Sequence, residues 1–303
     1  MDTAPQKPIL VTGSHRSGST WVGRMLALDP SVGFIMEPFN LNHRLGICRA
    51  RFDYYFQYLS VVDGEHYARD IEDCLNFRYS IATEFTTIRA PKDLGRMARD
   101  FWICTNNRLR GRRPLMKDPI ALFSASWLAD RFDMDVVVLI RHPAAFAGSL
   151  KAANWPHPFR HFLEQEPLLE RYLSGFREEI EKQVSAPGDI VEQAILLWNL
   201  IHHTIREYES EHANWHFVRH EDLSRDPVAG YRDLYRELQL EFSTAIEKQI
   251  TEHSSASRPE LLKRDSKSNI SAWKKRLTEG EIARVHEGTR VIARHYYGED
   301  SWA

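Results

Sequence analysis

Cysteine is scarce in this chain. Three residues in 303, Cys48, Cys74 and Cys104, are too few and too widely spaced for a disulfide framework, and no CxxC pair offers a thiolate metal site. They read as buried free thiols in a reducing, cytoplasmic compartment. No apolar run approaches the roughly 20 residues of a spanning helix. The N-terminal MDTAPQKP also lacks the basic segment and apolar core of a secretory leader. Neither sign of charge is in excess. A formal net charge of −2 gives no support to a general binder of nucleic acid or anionic membrane, so any anion site must be local. Repeats and low-complexity linkers are missing as well, which makes one domain over 1–303 the economical reading. At 43% hydrophobic residues the chain has the composition of a globular protein, and at this length it can bury a substantial core.

What the chain does have is concentrated in Lys7–Arg24, KPILVTGSHRSGSTWVGR. The apolar Pro8–Val11 predicts a buried strand, Thr12–Gly18 a turn-rich loop, and Ser19 onward the first turn of a helix. Such a junction is a phosphate cradle. Glycines at 13 and 18 let the backbone approach an anion, while loop amides and free helix N–H groups point at it. The spacing Gly13-(four residues)-Gly18-Ser19-Thr20 is that of a nucleotide P-loop, except that Ser19 stands in the lysine slot. The nearest cation, Arg16, offers a planar fork instead of a point charge.

Further along, Val32–Met36 predicts a second short strand closing on Glu37, a carboxylate placed where open α/β sheets bind ligands. Segment 41–110 divides poorly and reads as an insertion shaping the ligand side. Its aromatic run Arg51–Leu59 has helical spacing and suits core packing better than a substrate wall. Pro114–Lys117 predicts a strand turning at Asp118-Pro119, with an amphipathic helix after it. Asp135–Ile140 is β-branched without alternation, so both its faces are covered, as in a parallel sheet. Helices are expected over 144–153, 162–184 and 190–211, a loop over 154–158, and a last strand over 215–218. Beyond Pro227 the chain reads as helical, apart from the Ser- and Lys-rich 254–271. The expected fold is α/β: a central, mostly parallel sheet flanked by helices in a P-loop type three-layer architecture.

The stretch HRSGSTW resembles the 5′-phosphosulfate loop of sulfotransferases that use 3′-phosphoadenosine-5′-phosphosulfate (PAPS). VVVLIRHPAAFAGSLKAANW is similar to that family's 3′-phosphate motif, with Arg141 at a strand end and Ser149 in the next helix. FVRHEDLSRDP resembles its Tyr-Glu-Asp-Leu stretch, with His220 in place of the tyrosine and Glu221 and Asp222 as braces. KSNISAWKKRLT resembles its closing loop, matching at Lys267, Trp273 and Lys274 and departing at Ser266 and Ser268. The resemblance implies donor contacts from His15, Arg16, Ser17, Gly18, Ser19, Thr20, Trp21, Arg141, Ser149, Lys267, Trp273 and Lys274. PAPS would be the co-substrate, no metal would be needed, and a small-molecule or glycan hydroxyl would accept the sulfuryl group.

Arg16 is expected to stabilise the leaving phosphate. Where cytosolic members carry Lys-x-His, this chain reads Lys117-Asp118-Pro119, so the base must come from elsewhere. Glu37 is the first candidate and Asp118 the second, although Glu37 could instead pair with an arginine. Lys117 could aid the developing charge or bridge Asp118. These departures place the chain nearer the bacterial and carbohydrate-directed branches. A P-loop kinase or NTPase, and a non-catalytic nucleotide-binding protein, are the competing readings.

Overall fold

The computed structural model describes residues 6–255, 267 and 270–302. Five strands, β1 (Ile9–Gly13), β2 (Val32–Met36), β3 (Arg113–Lys117), β4 (Asp135–Ile140) and β5 (His216–Arg219), form one parallel sheet in the order β2-β3-β1-β4-β5. Register is explicit on one side: Val11 of β1 and Met36 of β2 both lie opposite Lys117 of β3. Helices flank the sheet, among them α1 (Ser19–Leu26), α2 (Val61–Leu75), α3 (Ile81–Phe85), α4 (Pro91–Leu109), α5 (Ala125–Phe132) and α6 (Pro143–Ala153). Val136–Ile140 are all buried, as the unalternating sequence predicts for a strand covered on both faces. Each such side chain contributes about 1.5–3 kcal/mol by leaving water.

The chain forms two compact units. One gathers residues 6–12 with Val22–Val137. Its core runs from Ile9–Val11 through Val22, Met25 and Leu26 to Leu115 and Met116. The other gathers Gly13–Trp21 with the chain from Val138 onward, and centres on α6 and the helix Ile190–Glu211. There the indole Nε1 of Trp198 donates to the carbonyl of Arg141 at 2.9 Å, pinning the end of β4 to that helix. Lys151 of α6 pairs with Glu281 at 2.7 Å.

Several sequence expectations need correction. Residues 162–184 do not form one helix. Short segments Arg160–Leu163, Glu166–Leu168, Leu169–Leu173, Ser174–Phe176 and Arg177–Ser185 replace it, because Pro167 lacks an N–H and Gly175 weakens the helical backbone. The aromatic run 51–59 is not helical despite its spacing. Its backbone turns through Phe56 at φ +60, and the Gln57 carbonyl accepts from the Ser124 hydroxyl at 2.6 Å. The run is nevertheless core: Phe52 stacks on Phe39 with ring centres 4.1 Å apart, and Phe56 meets Phe123 edge-on. Segment 41–110, which periodicity left undivided, holds α2, α3 and α4, with Ser60 capping α2 through two backbone amides. All three cysteines are buried and free.

Candidate active site

The second unit contains the candidate anion cradle. β1 ends at Gly13 and α1 begins at Ser19, so the loop between them leaves backbone amides and the free N–H groups of the first helical turn available to an anion. Both glycines are required. At Gly13 (φ +132) a Cβ would lie 2.4 Å from the Leu139 carbonyl oxygen, and at Gly18 (φ +92) it would lie 2.5 Å from His220 Nδ1. Gly18→Ala is therefore expected to destabilise the protein by about 1–3 kcal/mol. A urea melt of that variant, matching the wild type within error, would contradict this account.

Two hydroxyls in the loop, Ser14 Oγ and Ser17 Oγ, are buried with no hydrogen-bond partner among the described residues. Such atoms are costly unless a ligand satisfies them. Ser19 is buried and Thr20 half-buried in the first turn of α1. His15 packs edge-on against Phe146 and Trp155, and burial together with neighbouring Arg16 lowers its pKa to about 4. Arg16 adopts φ +63, a left-handed conformation costing about 1–2 kcal/mol for a residue with a Cβ.

The structure brings the two sequence-predicted anion motifs into contact: Arg16 Nε donates to Ser149 Oγ at 2.9 Å. Arg141 is buried at the end of β4 and braced from behind by Glu221, 3.5 Å away. Glu221 also accepts from the His142 amide at 3.1 Å and the Tyr297 hydroxyl at 2.8 Å, which gives it the bracing role its sequence position suggested. Trp21 is buried, edge-on to Tyr231 and His220. Trp273 is buried and stacks on His142, while Lys274 and Lys267 are exposed. Ser266 and Ser268 lie outside the described residues.

Sequence reasoning missed Arg276. Burial lowers the pKa of Arg16 and Arg141 from the usual guanidinium range. The positive charge of Arg276 lowers both further, against the raising effect of Glu221 on Arg141. Three guanidinium groups within mutual electrostatic reach form a site suited to a multiply charged anion. The run Lys274-Lys275-Arg276 was the available signal, but a run of cations does not reveal which charge acts on the loop.

In the first unit, Glu37 follows β2 at φ +47, so a second non-glycine candidate residue also sits in the left-handed region. Its Oε1 takes an ion pair from Lys117 Nζ and its Oε2 accepts from Asn40 Nδ2 at 3.2 Å. The Lys117 side chain is 1% exposed and that of Glu37 25%. Lys117 therefore bridges Glu37, not Asp118, and the partner of Glu37 is a lysine instead of an arginine. Asp118 is fully buried, with both oxygens taken by backbone amides, Phe39 at 2.6 Å and Ile120 at 3.1 Å. Burial pushes its pKa up to about 7.

Glu37 also lines a cavity of about 650 Å³ within the same unit, alongside Arg24, Phe34, His43, Arg44 and Asn107. Residues 51–59 contribute nothing to its walls. Among the described residues, no group of three His, Cys, Asp or Glu side chains could hold a metal ion.

A sulfotransferase family model matches residues 8–244. Among solved structures, the sulfotransferase domain of the Synechococcus PCC 7002 olefin synthase is similar at 15% identity, with a TM-score of 0.50 and 98% of each chain covered. The sulfotransferase domain from the curacin biosynthetic pathway is similar at 15% identity and a TM-score of 0.47, covering 94% of this chain and 98% of that one. Mouse sulfotransferase SULT7A1 complexed with PAP gives 12% identity and a TM-score of 0.44, covering 99% and 88%. No curated protein sequence matches. With a phosphate-type loop at the head of its parallel sheet and a family match over more than half its length, this chain belongs to the sulfotransferase family.

Proposed function

We propose that the protein transfers a sulfuryl group from PAPS to the hydroxyl of a glycan or other hydroxylated metabolite. The observation that carries this reading is the 2.9 Å contact between Arg16 and Ser149. It joins the two anion motifs in a cradle where Ser14 and Ser17 offer unpartnered hydroxyls. A donor with anionic groups at both ends needs two such motifs, whereas a nucleoside triphosphate needs the P-loop lysine that Ser19 replaces.

In the proposed reaction the acceptor oxygen attacks sulfur in line. The bond from sulfur to the bridging oxygen of the 5′-phosphate breaks, and 3′-phosphoadenosine-5′-phosphate (PAP) departs with that electron pair. The acceptor proton passes to the Glu37 carboxylate. Arg16 and the loop amides neutralise charge on the departing phosphate. Lys117 and Asn40 orient Glu37. With its oxygens engaged by the backbone, Asp118 serves to hold the turn after β3. The cavity lined by Glu37 is assigned to the acceptor, which gives insertion 41–110 its acceptor-shaping role.

The test is thermal stabilisation. PAP at 100 times its dissociation constant is expected to add about 2.7 kcal/mol of stability and raise Tm. ATP with Mg²⁺ should do much less. A larger shift with ATP–Mg²⁺ than with PAP would overturn the donor assignment in favour of a P-loop kinase or NTPase.

A further inference from the structure

Helices α3 and α4 are turned inside out. On α4 the buried positions are Asp100, Cys104 and Asn107, spaced i, i+4, i+7. Leu94, Ala98, Phe101, Trp102 and Leu109 form the outward stripe, with Trp102 68% and Leu109 83% exposed. The shorter α3 repeats the pattern, burying Glu84 while Phe85 is 63% exposed and Ile81 stands beside it. The inward polar groups are accounted for: Arg44 pairs with Glu84 and, at 3.4 Å, with Asp100. Of the outward apolar groups, Phe101 meets Tyr79 edge-on with ring centres 6.1 Å apart, while Phe85, Trp102 and Leu109 stay mostly exposed among the described residues. An amphipathic helix normally buries its apolar stripe, and an exposed patch rimmed by polar residues marks an interaction surface.

The rim identifies the partner. Residues 88–112 carry seven basic side chains, Arg89, Lys92, Arg96, Arg99, Arg108, Arg110 and Arg112, against only Asp93 and Asp100. A chain of net charge −2 thus concentrates positive charge around one aromatic stripe. A second copy docking symmetrically would bring the same basic rim against this one and be repelled. Tryptophan, phenylalanine and leucine edged by arginine and lysine is the chemistry of a helix lying in the headgroup layer of an anionic bilayer.

We propose that the α3–α4 face is a peripheral docking surface for anionic membranes. Arg99, Ile103, Cys104 and Asn107 of α4 also line the cavity that holds Glu37, so α4 stands between the docked bilayer and that cavity. This surface is independent of the donor assignment.

Co-sedimentation of the full chain with phosphatidylcholine vesicles, with and without 30% phosphatidylglycerol, tests it. The protein is expected to sediment with the anionic vesicles and to be released as NaCl rises to 0.5 M. The triple variant Phe85→Ser, Phe101→Ser, Trp102→Ser is expected to partition at least about tenfold more weakly. No wild-type binding to anionic vesicles, or equal binding by the variant, would overturn the proposal. So would a concentration-dependent dimer that the variant abolishes in sedimentation velocity, since the face would then belong to a second copy. PAP-induced stabilisation is read on the same samples and is expected to be equal in both proteins. Its absence in both would count against the donor reading alone and leave the vesicle result standing.

Discussion

Replacing Arg16 with alanine is expected to lower kcat/KM for PAPS-dependent transfer by about 100-fold or more. The fold should survive. Arg16 is partly solvent-exposed, and its one side-chain hydrogen bond among the described residues, to Ser149, is worth about 1 kcal/mol. The left-handed backbone at this position is strained for arginine already, so alanine adds no new strain. Arg16→Lys separates charge from geometry. A lysine retains the positive charge but loses the planar fork, so its activity should fall between wild type and alanine. Initial-rate assays with Tm measured on the same preparations provide the check. An Arg16→Ala protein that folds normally and turns over at the wild-type rate would remove Arg16 from the transfer step.

Glu37→Gln is expected to reduce kcat by about 10²- to 10⁴-fold, the range associated with loss of a positioned general base. PAP binding, measured separately, should be unchanged. The substitution also deprives Lys117 of its ion-pair partner, and with a lysine side chain only 1% exposed this carries a stability cost. Glu37 is itself a quarter exposed, so that cost is expected to be at most about 3 kcal/mol. A paired variant, Glu37→Gln with Lys117→Met, resolves the ambiguity. Stability should recover because no unpaired lysine charge remains buried, whereas turnover should stay low because the Glu37 base is gone. Recovery of turnover in the paired variant would show that Glu37 serves only to neutralise Lys117. Asp118→Asn is the companion measurement: with both Asp118 oxygens on backbone amides, its effect should fall mainly on stability.

The elements read most clearly from sequence were those with a strong local signature. β4 and the helix Ile190–Glu211 fall at the expected residues. Five consecutive buried apolar residues, or 22 residues of helical periodicity, admit few other conformations. The glycine-rich loop was legible for a different reason, since positive φ at positions 13 and 18 and the close approach of Leu139 and His220 leave glycine as the only suitable residue. Local signals failed where a distant partner outweighed them. The 51–59 aromatic run has helical spacing, yet the Ser124 hydroxyl and the Phe39 ring hold it in an irregular path.

By itself the sequence determined the parallel-sheet class, the position of the anion loop and the candidate residues at strand ends, because each depends on neighbours in the chain. Only the tertiary structure decided that Arg16 meets Ser149, 133 residues away. It likewise decided that Lys117 chooses Glu37 over adjacent Asp118, that Arg276 is the member of its basic run felt by the cradle, and that α3 and α4 turn their apolar sides outward. The physical reason is the same in each case. Coulomb attraction, hydrogen-bond geometry and exclusion of water act through space, and periodicity specifies which face of an element is apolar without specifying what will cover it.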